Sequence, residues 1–174
     1  MGQQKEEIRI YVACLAAYNN GILHGVWIDA TQDLHDIWTE IREMLRASPE
    51  VDAEEHAIHD YEGFGSLRLS EYEGLEGVCE KAAFIEEHGK LGATVAEYYG
   101  GDIEEAKRAL EEHYAGQYRS LAEFAEELTE QTGTEIPQNL VHYIDYEAMG
   151  RDMAINDVLA IETRLDEVHV FWSH

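Results

Sequence analysis

Two groups of residues have types and spacing that could support chemistry. His56, His59 and Asp60 offer nitrogen and oxygen donors within five residues, the donor set that suits zinc. On a strand, however, residues three apart face opposite sides, so ordinary strand packing is the expectation and no metal is expected. Asp145 and Glu147 near His142 resemble an acid–base couple. A nuclease built on them would need basic residues to grip phosphate, and the nearest is Arg151, with no Lys after Lys107. Phosphate-cradling and nucleophile motifs are missing: there is no GxGxxG, no Walker lysine, no GxSxG elbow and no EF-hand spacing,. The chain is therefore expected not to be an enzyme and to carry no cofactor.

The remaining chemical feature is acid. Thirty-seven Asp and Glu face 12 Lys and Arg, a formal net charge of -25. The carboxylates gather at Glu71, Glu73, Glu76 and Glu80, at Glu86 and Glu87, at Asp102, Glu104, Glu105, Glu111 and Glu112, and at Glu123, Glu126 and Glu127. Any one cluster reads as a solvated helix face, but such faces normally mix signs, and residues 120–150 contain no Lys. Residues 1–61 carry 12 carboxylates and 4 cations, residues 62–112 carry 13 and 5, and residues 113–174 carry 12 and 3, so the net charges are -8, -8 and -9. The charge thus runs the whole length of the chain. A compact body of this length has a radius of gyration of roughly 16 Å, whereas twenty-five duplex charges span roughly 42 Å of B-DNA axis. An elongated body suits the charge better. Such a surface calls for a basic partner, and direct binding to nucleic acid is disfavoured by the same charge.

The elements that carry these residues follow from periodicity. With 45% hydrophobic residues, ten Tyr and three Trp, the 174-residue chain can bury a core,. Residues 8–15 alternate, with Ile8, Ile10, Val12 and Cys14 on one side, and the Asn19, Asn20, Gly21 turn leads into a second alternating run from Ile22 to Ile28, which predicts an antiparallel strand pair. Leu34, Ile37, Trp38, Ile41, Met44 and Leu45 predict an amphipathic helix behind Thr31 as N-cap and ending before Pro49,. From Glu54 to Tyr61, His56, Ile58 and Asp60 alternate against Ala57, His59 and Tyr61 as a third strand.

Further on, Leu75, Val78, Cys79, Ala82 and Ile85 have helical spacing that stops at Gly89,. A short helix around Leu91, Val95 and Tyr98 ends at Gly100 and Gly101, and Asp102 with Glu105 opens another,. Ser120 and Glu123 form a capping-box pattern ahead of Leu121, Phe124, Ala125 and Leu128, and Pro137 is read as opening a helix through Met149,. Two alternating runs, Asp157 to Ile161 and Glu167 to Trp172, close the chain around a turn at Thr163 to Asp166. The fold class is α+β, as an elongated chain of three small domains: an N-terminal α+β domain with an antiparallel sheet (1–61), a helical middle domain (62–112) and a C-terminal α+β domain (113–174). Cys14 and Cys79 sit far apart in apolar patterns and are expected to be buried free thiols,. No basic n-region with an apolar core and no run of 18 apolar residues occurs, so a cytoplasmic protein is expected, with no membrane contact.

Several segments are similar to one family. IYVACLAAYNNG with GVWID, EEHAIHDYEG, YAGQYRSLAEFAEEL, YIDYEAMGRDM at 143–153 and EVHVFW at 167–172 together resemble the ArdA antirestriction proteins of conjugative plasmids and transposons over nearly the full chain. The resemblance implies an elongated three-domain homodimer, joined through its C-terminal part, that imitates bent B-form DNA and inhibits type I restriction-modification enzymes. It implies no catalytic residues. Carboxylates would stand where DNA phosphates stand, before the methyltransferase core and specificity subunit. Within the strongest motif lie Tyr143, Asp145, Tyr146, Glu147, Gly150 and Asp152, which the resemblance places in a possible dimer region. By the same resemblance, Met149 stands where an aromatic residue is expected in many relatives. An acidic adaptor or regulator that binds another basic DNA-binding protein stays open as a second reading, and a carboxylate-dependent hydrolase as a third.

Overall fold

The N-terminal alternation becomes strand β1 (Arg9–Cys14), whose Ile10, Val12 and Cys14 side chains are fully buried. The computed structural model describes residues 7–173. The chain divides into two compact units, Met1–Ile103 and Glu104–His174. Together they are α+β, with two three-stranded antiparallel sheets and six α-helices among the described residues.

In the first unit, β1 lies between β2 (Gly25–Asp29) and β3 (His56–Glu62), both antiparallel to it. The second strand begins later than the expected Ile22. Residues Leu15–Asn19 form a short helix, α1, and the Ile22 N–H returns to the Ala17 carbonyl at 2.9 Å, so three more residues complete the turn. β3 departs from strict alternation. Val12 pairs with Ile58 and Tyr11 with Asp60, leaving His59 as an unpaired bulge residue,. The bulge moves Asp60 from the face of His56 and Ile58 to the opposite one, correcting the expected grouping.

Helix α2 (Leu34–Arg46) buries Ile37, Ile41 and Met44. Each such aliphatic side chain contributes roughly 1.5–3 kcal/mol. Its N-cap is Asp33, which accepts the His35 N–H at 3.2 Å, and not the expected Thr31. Thr31 is held two residues back, donating its N–H and hydroxyl to Asp29 at 2.8 and 2.6 Å. Cys14 is buried and free, as expected; Cys79 is free but only half-buried, where a buried thiol was expected, and burial with the nearby Asp33 charge pushes its thiol up.

Helix α3 (Leu75–Tyr98) is interrupted at Gly89, where φ is 65° and ψ is -150°. Only glycine holds that conformation without strain, so the expected stop is real, and helix resumes directly after it. Apart from its chain neighbours and the helix's own nearby backbone, no described atom lies within 4 Å of where a Gly89 Cβ would stand. Gly89→Ala is therefore a backbone test: it is expected to cost about 1–3 kcal/mol. A thermal midpoint equal to that of the parent chain would contradict this.

Helix α4 (Ile103–Arg108) leads through a π-helical turn at Ala109–His113 into the second unit's sheet, ordered β4 (Tyr114–Tyr118), β6 (Glu167–Trp172), β5 (Val158–Arg164). β5 and β6 are the two expected closing runs. Their turn is tighter than expected, because pairing extends to Arg164 opposite Glu167. β4 has no apolar alternation, and its Gly116, at φ 139°, sits at a register shift. Helices α5 (Leu121–Gln131) and α6 (Tyr146–Asn156) complete this unit around Phe124, Val158 and Val170.

The helix expected from Pro137 to Met149 is absent. Pro137 to Leu140 forms a turn, Val141–Tyr143 is a single 3-10 turn, and α6 starts where the Asp145 carboxylate accepts the Ala148 N–H at 3.0 Å. Residues 137–143 are all exposed, so no buried stripe supports a helix there.

Candidate functional site

The acidic face is laid out most simply on α5. Leu121, Phe124, Ala125 and Leu128 turn inward, and by the 3.6-residue repeat Glu123, Glu126, Glu127 and Glu130 lie on the other side, within about 100° of each other. Ser120 starts this helix, its hydroxyl accepting the Glu123 N–H at 3.2 Å while the Glu123 carboxylate accepts the Arg119 N–H at 2.8 Å. Carboxylate near a helix N-terminus is electrostatically favoured. Glu127 is half-buried and takes a hydrogen bond from Gln131 at 3.1 Å. Tyr118, which sequence reasoning did not single out, leans on it: burial first, then its bond to Glu127, pushes the phenol up.

In the first unit, α3 carries Glu76, Glu80 and Glu87 before the Gly89 break, all exposed. They lie within about 40° on the helix and span about 17 Å of its axis. Glu86 is exposed beside them, and Glu71 is exposed with its carboxylate 3.5 Å from the His59 imidazole. Glu73 differs. It pairs with Lys81, and both side chains are largely buried, so its charge is matched within the fold.

Asp102 and Glu104 are exposed and Glu105 half-buried at the start of α4, with Glu104 3.8 Å from Lys107 and Glu105 2.9 Å from Arg108. Glu111 and Glu112 are exposed in the π-helical turn. Among the described residues no ion pair engages Glu76, Glu80, Glu86, Glu111, Glu112, Glu123, Glu126 or Glu130. Those carboxylates present uncompensated charge to solvent.

The 143–153 motif serves the fold at two points. Asp145 caps α6, and Gly150 is buried where α6 meets the first turn of α5; a Cβ there would lie 2.9 Å from the Leu121 carbonyl carbon and Cβ. Tyr143 is 83% exposed, Tyr146 is half-buried, and Glu147 and Asp152 are exposed. Met149 sits at the same helix seam, its sulfur 3.6 Å from the Thr129 hydroxyl. Among the described residues no hydrogen bond or ion pair joins Asp145, Glu147 and His142.

The histidines read as possible ligands separate. His56 meets Trp38 edge-on at 5.4 Å between centroids, and His59 meets Tyr18 at 4.6 Å. Among the described residues no group of three or more His, Cys, Asp or Glu is placed to hold a metal, and no helix is long and apolar enough to cross a membrane.

A polar network in the second unit was not foreseen. Tyr114 Oη lies 2.7 Å from His169 Nδ1, His169 Nε2 lies 3.4 Å from Glu167, and the Thr163 hydroxyl donates to Glu167 at 2.7 Å. The Thr163 bond foremost holds the Glu167 carboxyl below its usual range. Its members lie on three different strands, so no sequence spacing announces it.

Comparison with curated proteins gave no match. A family model, described as antirestriction protein (ArdA), matches residues 10–167, which takes in the first sheet but for Arg9, β4 and β5 of the second, and the helices between them, and stops at the first residue of β6. The chain belongs to the ArdA family of antirestriction proteins.

Proposed function

We propose that this antirestriction protein acts as a DNA mimic, placing carboxylates in the DNA-binding groove of a type I restriction-modification enzyme. The observation that carries the reading is the set of exposed helix carboxylates without cationic partners among the described residues, present in both units: Glu76, Glu80 and Glu86 in the first, Glu111, Glu112, Glu123, Glu126 and Glu130 in the second. A groove built to neutralise phosphates gains the same long-range attraction from such faces. Glu73 and Glu105, already matched by Lys81 and Arg108, contribute least. Contact with the methyltransferase core and specificity subunit, the three-domain division at 61/62 and 112/113, a cytoplasmic location and homodimerisation through residues 113–174 belong to the same proposal. Dimerisation is supported by apolar residues exposed in the second unit: Leu140, Tyr143, Ile155 and Leu165 are 49–84% exposed, a load that a partner surface would relieve.

The test is competition. The full chain, titrated into a purified type I methyltransferase bound to its DNA site, is expected to displace the DNA, and its own binding is expected to weaken at least about tenfold between 50 and 200 mM salt. Simultaneous binding of DNA and protein without interference would sink the proposal.

A further inference from the structure

We propose that the cleft beside Trp27 in the first unit receives an arginine side chain of the protein partner. The proposal rests on the mimicry reading and names the group that anchors it. The cleft has a volume of about 950 Å³, and Trp27, Ile85 and Ala93 line its apolar part. That size lies within the range of sites built to bind something.

The chain already shows what the indole accepts. The Arg9 guanidinium carbon stands 4.6 Å from the Trp27 ring centroid, while its Nε and Nη2 donate to the Glu62 carboxylate at 2.8 and 2.7 Å. Guanidinium, indole and carboxylate thus form one settled arrangement at the edge of the cleft.

The rest of the rim invites a second cation. Glu7, Asp29 and Glu86 line the opening and are exposed. Asp29 is oriented by the two bonds from Thr31 to a single oxygen, Oδ1, and Glu86 has no ion-pair partner among the described residues. Arg9 and Lys90 also line the cleft, and Arg9, bonded to Glu62, has Nη1 3.9 Å from Glu7 as well; the four carboxylates Glu7, Asp29, Glu62 and Glu86 still outnumber the two cations. The net charge of -25 on the whole chain concentrates cations and repels anions at this opening,.

Arginine fits better than lysine, because its flat, weakly hydrated head loses less on leaving water and can lie against the cleft's apolar wall, beside the indole face that Arg9 already covers,. One arginine does not fill the volume, so it enters on a loop whose apolar residues cover Ile85 and Ala93. DNA offers partners a comparable receptor, since a narrow minor groove draws in arginine side chains. A mimic with such a cleft gains an anchor that a smooth acidic surface lacks.

The probe is benzamidinium, a flat aromatic amidinium, with neutral benzamide as its isostere, titrated into the nitrogen-15-labelled full chain. Benzamidinium is expected to shift the Trp27 indole N–H and the Gly65 and Ala93 amides. Benzamide is expected to bind at least about fivefold more weakly, and Glu7→Gln with Glu86→Gln to weaken benzamidinium by about fivefold. Equal binding of the two compounds, or shifts remote from Trp27, overturns the cation site. The same double variant, its amide spectrum otherwise unchanged, is expected to bind a type I methyltransferase about fivefold more weakly; parental affinity overturns the assignment of the cleft to the partner. If the parental chain binds no methyltransferase, the mimicry reading falls, and the benzamidinium titration by itself decides the cleft.

Discussion

Replacing Glu123, Glu126 and Glu130 together by glutamine is expected to weaken binding to a type I methyltransferase about tenfold, whereas each single replacement changes it by less than about fivefold. The three carboxylates share the outer face of α5 and have no ion-pair partner among the described residues, so a basic groove meets them as a block. Each solvent-exposed pair is worth roughly 0.2–1 kcal/mol, and three such terms add to a measurable loss. Glutamine preserves shape and the capping role of residue 123, since its amide oxygen can still accept the Arg119 N–H. The helix is therefore expected to persist, and circular dichroism of the free variants checks it. Titration calorimetry at fixed salt reads the affinities. Parental affinity for the triple variant would remove α5 from the contact surface, and a single replacement that abolished binding would contradict the distributed picture. Added salt is expected to weaken the complex while leaving the free chain more stable, because it screens attraction across the interface and self-repulsion alike.

Gly150→Ala is expected to destabilise the second unit by about 2 kcal/mol, a fall of roughly 10 °C in its thermal midpoint. In an exposed helix interior the same change stabilises by about 1 kcal/mol, because alanine is the better helix former. Here the new Cβ would lie 2.9–3.0 Å from the Leu121 carbonyl carbon, oxygen and Cβ. Main-chain atoms cannot rotate away, so the α5–α6 seam must open. Gly77, inside α3, is the control: its nearest contact would be the Glu73 carboxylate at an ordinary 3.6 Å, and Gly77→Ala is expected to raise the midpoint. Matching signs for the two variants would show that helix propensity, and not helix contact, governs position 150. The outcome also bears on function. If the seam loosens, the carboxylates of α5 lose their fixed positions, and inhibition falls although no acidic residue has changed.

The candidate surface was legible to different degrees. Fourteen carboxylates were singled out by density alone, and eleven of them are exposed. Charge strongly favours water, so exposure of Glu76 or Glu126 hardly needs a fold to be foreseen. The departures are Glu73, Glu105 and Glu127. Lys81 lies eight residues from Glu73 and Tyr118 nine from Glu127, and whether such pairs meet depends on a turn or a helix start between them. Asp145 and Gly150 stood out as motif members, but the motif could not say that one caps α6 and the other admits α5.

By itself the sequence determined the α+β class, β1, α2, α5 and the closing hairpin, because period-2 and period-3.6 burial patterns are local and strong there. It also determined the sign and even spread of the charge, and the family. Only the tertiary structure decided the rest. β4 carries no apolar alternation and exists because β6 offers it a free edge. The His59 bulge sets which face Asp60 joins, and a register shift leaves no mark in composition. The helix expected after Pro137 fails because residues 137–143 are exposed throughout and bury no apolar stripe, and most helix stability comes from packing. The cleft at Trp27 and the Tyr114–His169–Glu167 network unite residues dozens of positions apart. Local pattern reports what each segment prefers; only the folded chain decides which segments meet.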